Sequence, residues 1–223
     1  MAHTRQPQSG SARGLTRLAA GLTTALLMMA GPASATIVSG SVTTPASGAV
    51  FVNLSVPLTG SNPINTVGDD NFNSPNLYGF NESQNIFLGA DLVMSQGGTI
   101  LAGTTVASHY VFFDPLQSSR IVGTVDFDSD VLGVITSTDL LLASDYLVNT
   151  GVNYQNPGLR GLEAGDTVSF AGQQISLDFT ASSPGDYIRV ITRYSPGAVP
   201  EPGSLALAGL ALVGAGFVRR RRA

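Results

Sequence analysis

The chain has 223 residues and a mean hydropathy of +0.22, a length that suits one sizeable domain with targeting segments. It contains no cysteine, which excludes disulfides, thiolate metal sites and cysteine nucleophiles. Residues 36–198 contain 14 acidic residues, four Arg and no Lys, and they carry a net charge of −10. Because nucleic-acid binding depends on Lys and Arg at the phosphates, this charge argues against a nucleic-acid partner.

The first 35 residues have the three parts of a secretion signal. A basic segment precedes an apolar run at residues 18–30, and a Gly-Pro pair then ends the run. Ala33 and Ala35 supply the small residues that signal peptidase requires, so we predict cleavage between Ala35 and Thr36. The apolar run is shorter than the ~20 residues of a spanning helix, which favours a cleaved signal over an anchor. The Sec translocon and signal peptidase are the expected partners.

The end of the chain also has three parts in a fixed order. Pro200, Glu201 and Pro202 come first, and the two prolines hold the backbone extended so that an enzyme can recognise the acid between them. Residues 203–218 are apolar apart from Ser204, and as a helix they span ~24 Å, which predicts a short transmembrane helix. The positive-inside rule keeps the following cluster cytoplasmic, namely Arg219, Arg220, Arg221 and Arg222.

This tail resembles the PEP-CTERM sorting signal of exported proteins in Gram-negative bacteria. The resemblance implies that exosortase, a membrane-embedded transpeptidase-like enzyme, recognises Pro200, Glu201 and Pro202. It also implies export across the inner membrane, transient anchoring there, and delivery to the cell surface or extracellular matrix of an exopolysaccharide-producing, biofilm-forming host. A plain membrane anchor is the alternative, but it leaves the Pro-Glu-Pro unexplained. Segments of the middle, such as residues 110–115, resemble uncharacterised PEP-CTERM ectodomains, which implies no activity.

Residues 36–194 have the pattern of an all-β domain. Clusters of Gly, Pro, Asn, Asp and Ser separate short runs that are rich in Val, Ile, Thr, Phe and Tyr. We predict a single β-sandwich domain, jelly-roll-like, that an N-terminal signal helix precedes. A linker at residues 195–198 and the sorting signal at residues 199–223, with its transmembrane helix, follow the domain. The predicted strands are residues 36–42, 49–56, 85–94, 105–113, 120–127, 131–136, 167–170, 174–180 and 186–194.

Two segments of this domain depart from the strand pattern. Residues 139–147 predict one or two helical turns, with Thr138 as the N-cap. Residues 53–84 are dense in Gly, Pro, Asn and Asp, which predicts a long loop. Loops of this length are usually functional or mobile.

Asp126, Asp128 and Asp130 present carboxylates at alternating positions, as calcium-binding loops do. An EF-hand is excluded because Val131 stands where that loop requires Gly. We hypothesise a calcium site of another type; the alternative is a solvated strand end. Asp69 and Asp70 form a second candidate calcium site in an Asn-rich loop, where turn formation is an equally simple explanation.

The domain has few residues that suit catalysis. His109 is the one histidine left after signal removal, and there is no G-x-S-x-G motif. Glu82 and Glu163 are its only Glu, and the chain has no Trp for sugar stacking. We therefore expect no enzyme activity and favour a structural or adhesive role in an exopolysaccharide layer or biofilm. The alternatives are a calcium-dependent carbohydrate-binding module that uses residues 53–84 and a secreted hydrolase.

Overall fold

The computed structural model describes residues 35–45 and 48–194. This part of the chain contains fourteen β-strands and one short α-helix. The strands are, in chain order, β1 (Ile37–Thr44), β2 (Phe51–Leu54), β3 (Thr66–Val67), β4 (Leu77–Asn81), β5 (Ile86–Phe87), β6 (Leu92–Val93), β7 (Thr99–Ile100), β8 (Thr105–Phe113), β9 (Ser119–Phe127), β10 (Val131–Ile135), β11 (Asn153–Tyr154), β12 (Thr167–Ala171), β13 (Gln174–Ala181) and β14 (Asp186–Arg193). Helix α1 is Thr138–Ala143, and two 3-10 helices follow at Asp145–Leu147 and Pro157–Leu159.

Two sheets contain most of these strands. The first has the order β1-β9-β13-β12 and is antiparallel throughout. The second has the order β10-β14-β8-β4-β2, with β5 paired to the end of β8, and only its β2–β4 pair is parallel. Two small sheets, β11-β3 and β6-β7, lie outside them.

Both large sheets contribute to one apolar cluster. The first sheet supplies Ile121, Val125, Ile175 and Leu177, and the second supplies Val111, Phe113, Ile188 and Val190. Alternate residues of β9 are buried, as its period-two pattern predicts. This shared cluster therefore accounts for the hydrophobic face of both sheets.

The six-stranded sheet is buried on its other face as well. There Tyr78, Phe112 and Tyr187 stack across three strands, with ring centroids 5.2 and 5.7 Å apart. Leu141 of α1 and Leu147 of the next 3-10 helix belong to the same cluster. Because helices and loops cover this face, β8 and β14 are buried along almost their whole length.

The predicted all-β class is confirmed, while three local predictions were wrong. The strand predicted at residues 85–94 is instead two strands of two residues each, β5 and β6, which pair with β8 and β7. Residues 53–84 are not one loop, because they contain β4, a strand inside the second sheet. Gly79 of this strand suggested a turn, yet a Cβ there would lie 2.9 Å from Cδ1 of Ile37 and 3.3 Å from the Phe51 ring, so the glycine lets these side chains pack closely. The N-cap of α1 is Ser137, since Thr138 is already helical and its hydroxyl donates to the Arg160 carbonyl.

Several predictions lie outside the described residues: the signal peptide up to residue 34, the linker, the sorting tail and both terminal helices. The jelly-roll-like arrangement stays a prediction. Within residues 35–45 and 48–194, no helical segment has the length and apolar character that a membrane span requires.

Candidate functional site

A polar pocket of about 460 Å³ opens where β2 and β4 end side by side. Four of its lining residues have amide side chains, and the other four are a serine, two aliphatic residues and a glutamate. The lining residues are Asn53, Asn81, Gln84, Asn149, Ser55, Leu54, Val56 and Glu82. We call this cavity the amide pocket.

Hydrogen bonds to the first sheet fix two of these amides. Asn53 Nδ2 donates to the Ile37 carbonyl at 2.9 Å, and Asn81 Oδ1 accepts from the Ile37 amide at 3.1 Å. Asn81 Oδ1 also lies 2.8 Å from Nδ1 of His109. Ile37 thus ties the end of β4 and the end of β2 to the start of β1.

His109 is a buried structural histidine behind the amide pocket. Its Nε2 lies 3.0 Å from Thr192 Oγ1, and its ring packs on Phe127 at 4.9 Å. Burial lowers the pKa of His109 to about 3, so the ring is neutral at physiological pH. Because Asn81 Oδ1 can only accept, Nδ1 carries the proton and Nε2 accepts from Thr192.

The other two amides are held by the backbone. Asn149 Nδ2 donates to the Asn81 carbonyl at 3.3 Å, and Asn149 Oδ1 accepts from Gly151 at 2.9 Å. Gln84 Nε2 donates to the Ser108 carbonyl at 3.0 Å. Gln84 Oε1 is buried and has no hydrogen-bond partner among the described residues. This oxygen is shielded from solvent, so it offers no accessible acceptor to the pocket.

Glu82 lies at the pocket and is the acid of a buried ion pair. Its side chain and that of Arg189 are both 0% exposed, with Nε 2.7 Å from Oε2 and Nη2 3.0 Å from Oε1. Ser108 Oγ donates to Oε2 at 2.5 Å, and the Tyr154 hydroxyl donates to Oε1 at 2.8 Å. With both oxygens accepting two bonds each, Glu82 is fully satisfied and is poorly suited to act as a catalytic acid or base.

The network continues from Arg189 into the helical segment. Arg189 Nη1 donates to the Leu141 carbonyl at 3.0 Å and to Ser144 Oγ at 2.6 Å, and Nη2 lies 3.3 Å from Asp145 Oδ1. Arg160 binds both oxygens of Asp145, at 3.0 and 2.7 Å. Burial opposes the charge on Arg189, but Glu82 outweighs it and raises the pKa of Arg189, so the guanidinium stays protonated.

Sequence reasoning did not identify this network. Arg189 and Arg193 stand at alternating positions of the last strand, yet Arg189 is buried whereas the side chain of Arg193 is 65% exposed. The sequence contains one indication of the network, which is Arg189 itself, a charged residue inside the apolar run of β14. Its partner Glu82 is 107 residues away, beyond the reach of a local pattern.

The carboxylates of the first predicted calcium cluster turn to different neighbours. Asp126 accepts from Ser39 Oγ at 2.7 Å and from Gln174 Nε2 at 2.6 Å. Asp128 accepts from the amide and the hydroxyl of Thr36, at 2.8 and 3.2 Å. Asp130 lies 3.6 Å from the Arg193 guanidinium. Each carboxylate therefore already has a protein partner.

The second predicted cluster lies on the loop after β3. Asp69 accepts from Asn156 Nδ2, and Asp70 accepts from Ser183 Oγ at 2.6 Å. Asp114, which the sequence did not suggest, belongs to the same region: it accepts from the Phe72 amide at 2.8 Å. Burial raises the pKa of Asp114, and the charge of Asp70 adds to that shift.

Within the described ranges, no three His, Asp or Glu side chains are grouped closely enough to hold a metal ion. Calcium binding by Asp126, Asp128 and Asp130, or by Asp69 and Asp70, stays a prediction. None of these five residues lines the amide pocket.

Residues 198–222 match the PEP-CTERM protein-sorting motif. The match confirms the predicted sorting tail, and it supports an exported protein that exosortase processes during membrane-anchored transit towards the cell surface. No curated protein and no solved structure matches the chain. The motif covers only the tail and does not extend to residues 36–194.

Proposed function

Because the chain carries a PEP-CTERM protein-sorting motif, we propose that it is a structural or adhesive component of an exopolysaccharide layer or biofilm. The Sec translocon exports it and signal peptidase cleaves its signal. Exosortase then delivers it to the surface or matrix of a Gram-negative bacterium. The sorting motif is the observation that carries the proposal, because it directs the acidic domain towards the layer outside the cell.

The chemistry of the described domain supports a role without catalysis. Glu82 has both oxygens engaged by protein donors, and His109 is buried and neutral. Arg160 and Arg189 are likewise held by carboxylates. These groups stabilise the fold through satisfied bonds, whereas a catalytic centre needs a titratable group with free access to a substrate.

The sorting step is tested with the full-length chain in its own host. Glu201→Gln and Pro202→Ala alter the motif while leaving the signal peptide, the apolar run and the Arg cluster intact. Both variants should be exported through the Sec route and then accumulate in the inner-membrane fraction. Glu163→Gln, which removes an exposed acid of the domain, is the matched control and should reach the matrix normally.

The structural role is tested by deleting the gene and measuring biofilm mass and the polysaccharide retained in the matrix. Restoring the wild-type chain should restore both quantities, and restoring Glu201→Gln should not. Normal matrix delivery of both motif variants, or an unchanged biofilm in the deletion strain, would contradict the proposal.

The amide pocket favours a second function, that of a carbohydrate-binding module. Its amides come from the two ends of the segment at residues 53–84, with Asn149 added from a later loop. Calcium dependence is a separate question, because the predicted calcium ligands lie outside the pocket.

A further inference from the structure

We propose that the amide pocket binds an uncharged saccharide segment of the extracellular polysaccharide. This inference rests on the proposed function, since it names the ligand through which the protein would be held in the layer. It assigns the binding to the ends of β2 and β4 and to no metal ion.

The amide pocket retains hydrogen-bond donors and acceptors that the protein itself does not use. Sugar hydroxyls both donate and accept, so a site for them must offer donors and acceptors together. Asn53 uses Nδ2 internally and keeps Oδ1, whereas Asn81 uses Oδ1 internally and keeps Nδ2. The exposed Ser55 hydroxyl can do either.

The amide side chains of the pocket are held in place before any ligand binds. Ile37 binds the side chains of Asn53 and Asn81, and the Asn81 carbonyl binds Asn149. Side chains ordered before binding lose little conformational entropy when a ligand arrives, and that cost is a main limit on affinity. Leu54 and Val56 add aliphatic surface to the polar lining, which suits the C–H faces of a sugar ring. A volume of about 460 Å³ lies in the range of roughly 300–1,000 Å³ that small-molecule pockets occupy.

The charge of the protein favours uncharged sugars over uronates or sulfated sugars as the ligand. The chain has no Lys. Each Arg of the described residues is paired with an acid: Arg120 with Asp178, Arg160 with Asp145, Arg189 with Glu82 and Arg193 with Asp130. No cationic residue lines the amide pocket, and the net charge of −10 over residues 36–198 repels an anionic ligand.

The test uses the purified full-length chain and oligosaccharides from the producing strain's own exopolysaccharide. Partial acid hydrolysis followed by anion exchange yields a neutral fraction and a uronate-containing fraction. Binding of each fraction is measured by titration calorimetry and by saturation-transfer NMR. The neutral fraction should bind, and the uronate fraction should bind at least tenfold more weakly.

Two matched substitutions locate the binding. Ser55→Arg fills the amide pocket from an exposed position and should weaken neutral-fraction binding at least tenfold. Ser118→Arg makes the same change at an exposed serine in the β8–β9 loop, outside the amide pocket, and should bind as the wild type does. Equal melting temperatures of the two variants establish that both are folded.

Three outcomes overturn the inference: no binding of the neutral fraction, equal weakening by both substitutions, or equal affinity for the uronate fraction. A failure here differs from a failure of the proposed function. A chain that reaches the matrix and supports biofilm mass without binding the neutral fraction retains its structural role. A chain that binds the neutral fraction but stays in the inner membrane does not retain its structural role.

Discussion

Arg189 and Glu82 form an ion pair in which neither side chain has any solvent exposure, and two hydrogen bonds of 2.7 and 3.0 Å join them. The pair links β14 to the residue after β4, and the Tyr154 and Ser108 hydroxyls complete the coordination of Glu82. A buried charge that loses its partner is much more costly than a pair replaced as a whole. The amide pocket borders this pair, so its shape depends on the pair remaining intact.

We predict that Arg189→Met lowers the free energy of unfolding by about 3–5 kcal/mol, because Glu82 would then be buried without a cation. Glu82→Leu should have a comparable effect, because Arg189 would lose its buried partner and keep only the 3.3 Å contact with Asp145. The double variant Arg189→Met with Glu82→Leu should lose less than the sum of the single effects. Urea denaturation monitored by circular dichroism measures all three.

The matched control for this cycle is Arg120→Met. Arg120 pairs with Asp178 on the surface, with 57% of its side chain exposed, so its loss should change stability little. Additive single effects at Arg189 and Glu82 would show that the two residues are not coupled.

His109 should make the protein sensitive to acid. Its pKa in the folded state is about 3, below the ordinary value of 6.5, so the unfolded chain binds more protons between these limits. Stability from His109 is complete above about pH 6.5 and is lost as the pH falls towards 3. Between pH 6.5 and 4.5 the loss is about 2–3 kcal/mol. His109→Gln should flatten the stability profile over this interval, as measured by urea denaturation at several pH values; an unchanged slope would refute it.

Asp186 should act in the opposite direction. Burial raises the pKa of Asp186 to about 7, and the charges of Asp166 and Glu163 contribute. The folded state then holds a proton that the unfolded chain releases near pH 4, so stability falls as the pH rises from about 4 to about 7. Asp186→Asn mimics the neutral carboxyl and should raise the melting temperature at pH 8 while changing little at pH 4.

Asp178→Asn is the control for that comparison. The pKa of Asp178 is lowered by its hydrogen bond with Arg120, so removing its charge offers no gain at pH 8. A melting temperature at pH 8 that is equal in the wild type and Asp186→Asn would show that Asp186 is ionised in the folded protein without penalty.

Local pattern predicted the long strands well and failed where distant residues decide the outcome. Residues 120–127 were predicted as a strand and lie in β9, because the period-two burial of β9 is a property of the strand itself. Strand β4 was missed because Gly79 and Asn81 resemble turn residues. Their reasons are nonlocal: Gly79 faces the Ile37 side chain, and Asn81 binds the backbone of Ile37.

The same limit applies to the site. The spacing of Asp126, Asp128 and Asp130 indicated oxygen ligands, but it contained no information on which strands lie beside each carboxylate. In the folded chain Asp126 faces neighbouring strands on both sides, whereas Asp128 turns to Thr36. The amide pocket combines residues 53–56 with 81–84 and Asn149, so its composition follows from the parallel pairing of β2 and β4.

The contact between Thr36 and Asp128 leads to a prediction about the mature N-terminus. The Thr36 amide donates to Asp128 Oδ1 at 2.8 Å, its hydroxyl donates to Oδ2 at 3.2 Å, and its carbonyl accepts from the Asp128 amide at 3.1 Å. The predicted cleavage between Ala35 and Thr36 would convert that amide into an ammonium group. An ammonium group would turn this hydrogen bond into an ion pair with the carboxylate, so the cleaved chain should hold its first strand more firmly.

We therefore predict that N-terminal sequencing of the exported protein gives Thr36 as its first residue. We also predict that Asp128→Asn destabilises the cleaved protein. The effect should be below about 1 kcal/mol, because the pair is partly exposed to solvent, and salt should reduce it. Carbamylation of the α-amino group removes its charge and should lower the melting temperature of the wild type but not of Asp128→Asn. An N-terminus other than Thr36 would remove the ammonium group from this contact, and an equal response of both proteins to carbamylation would show that Asp128 does not bind it.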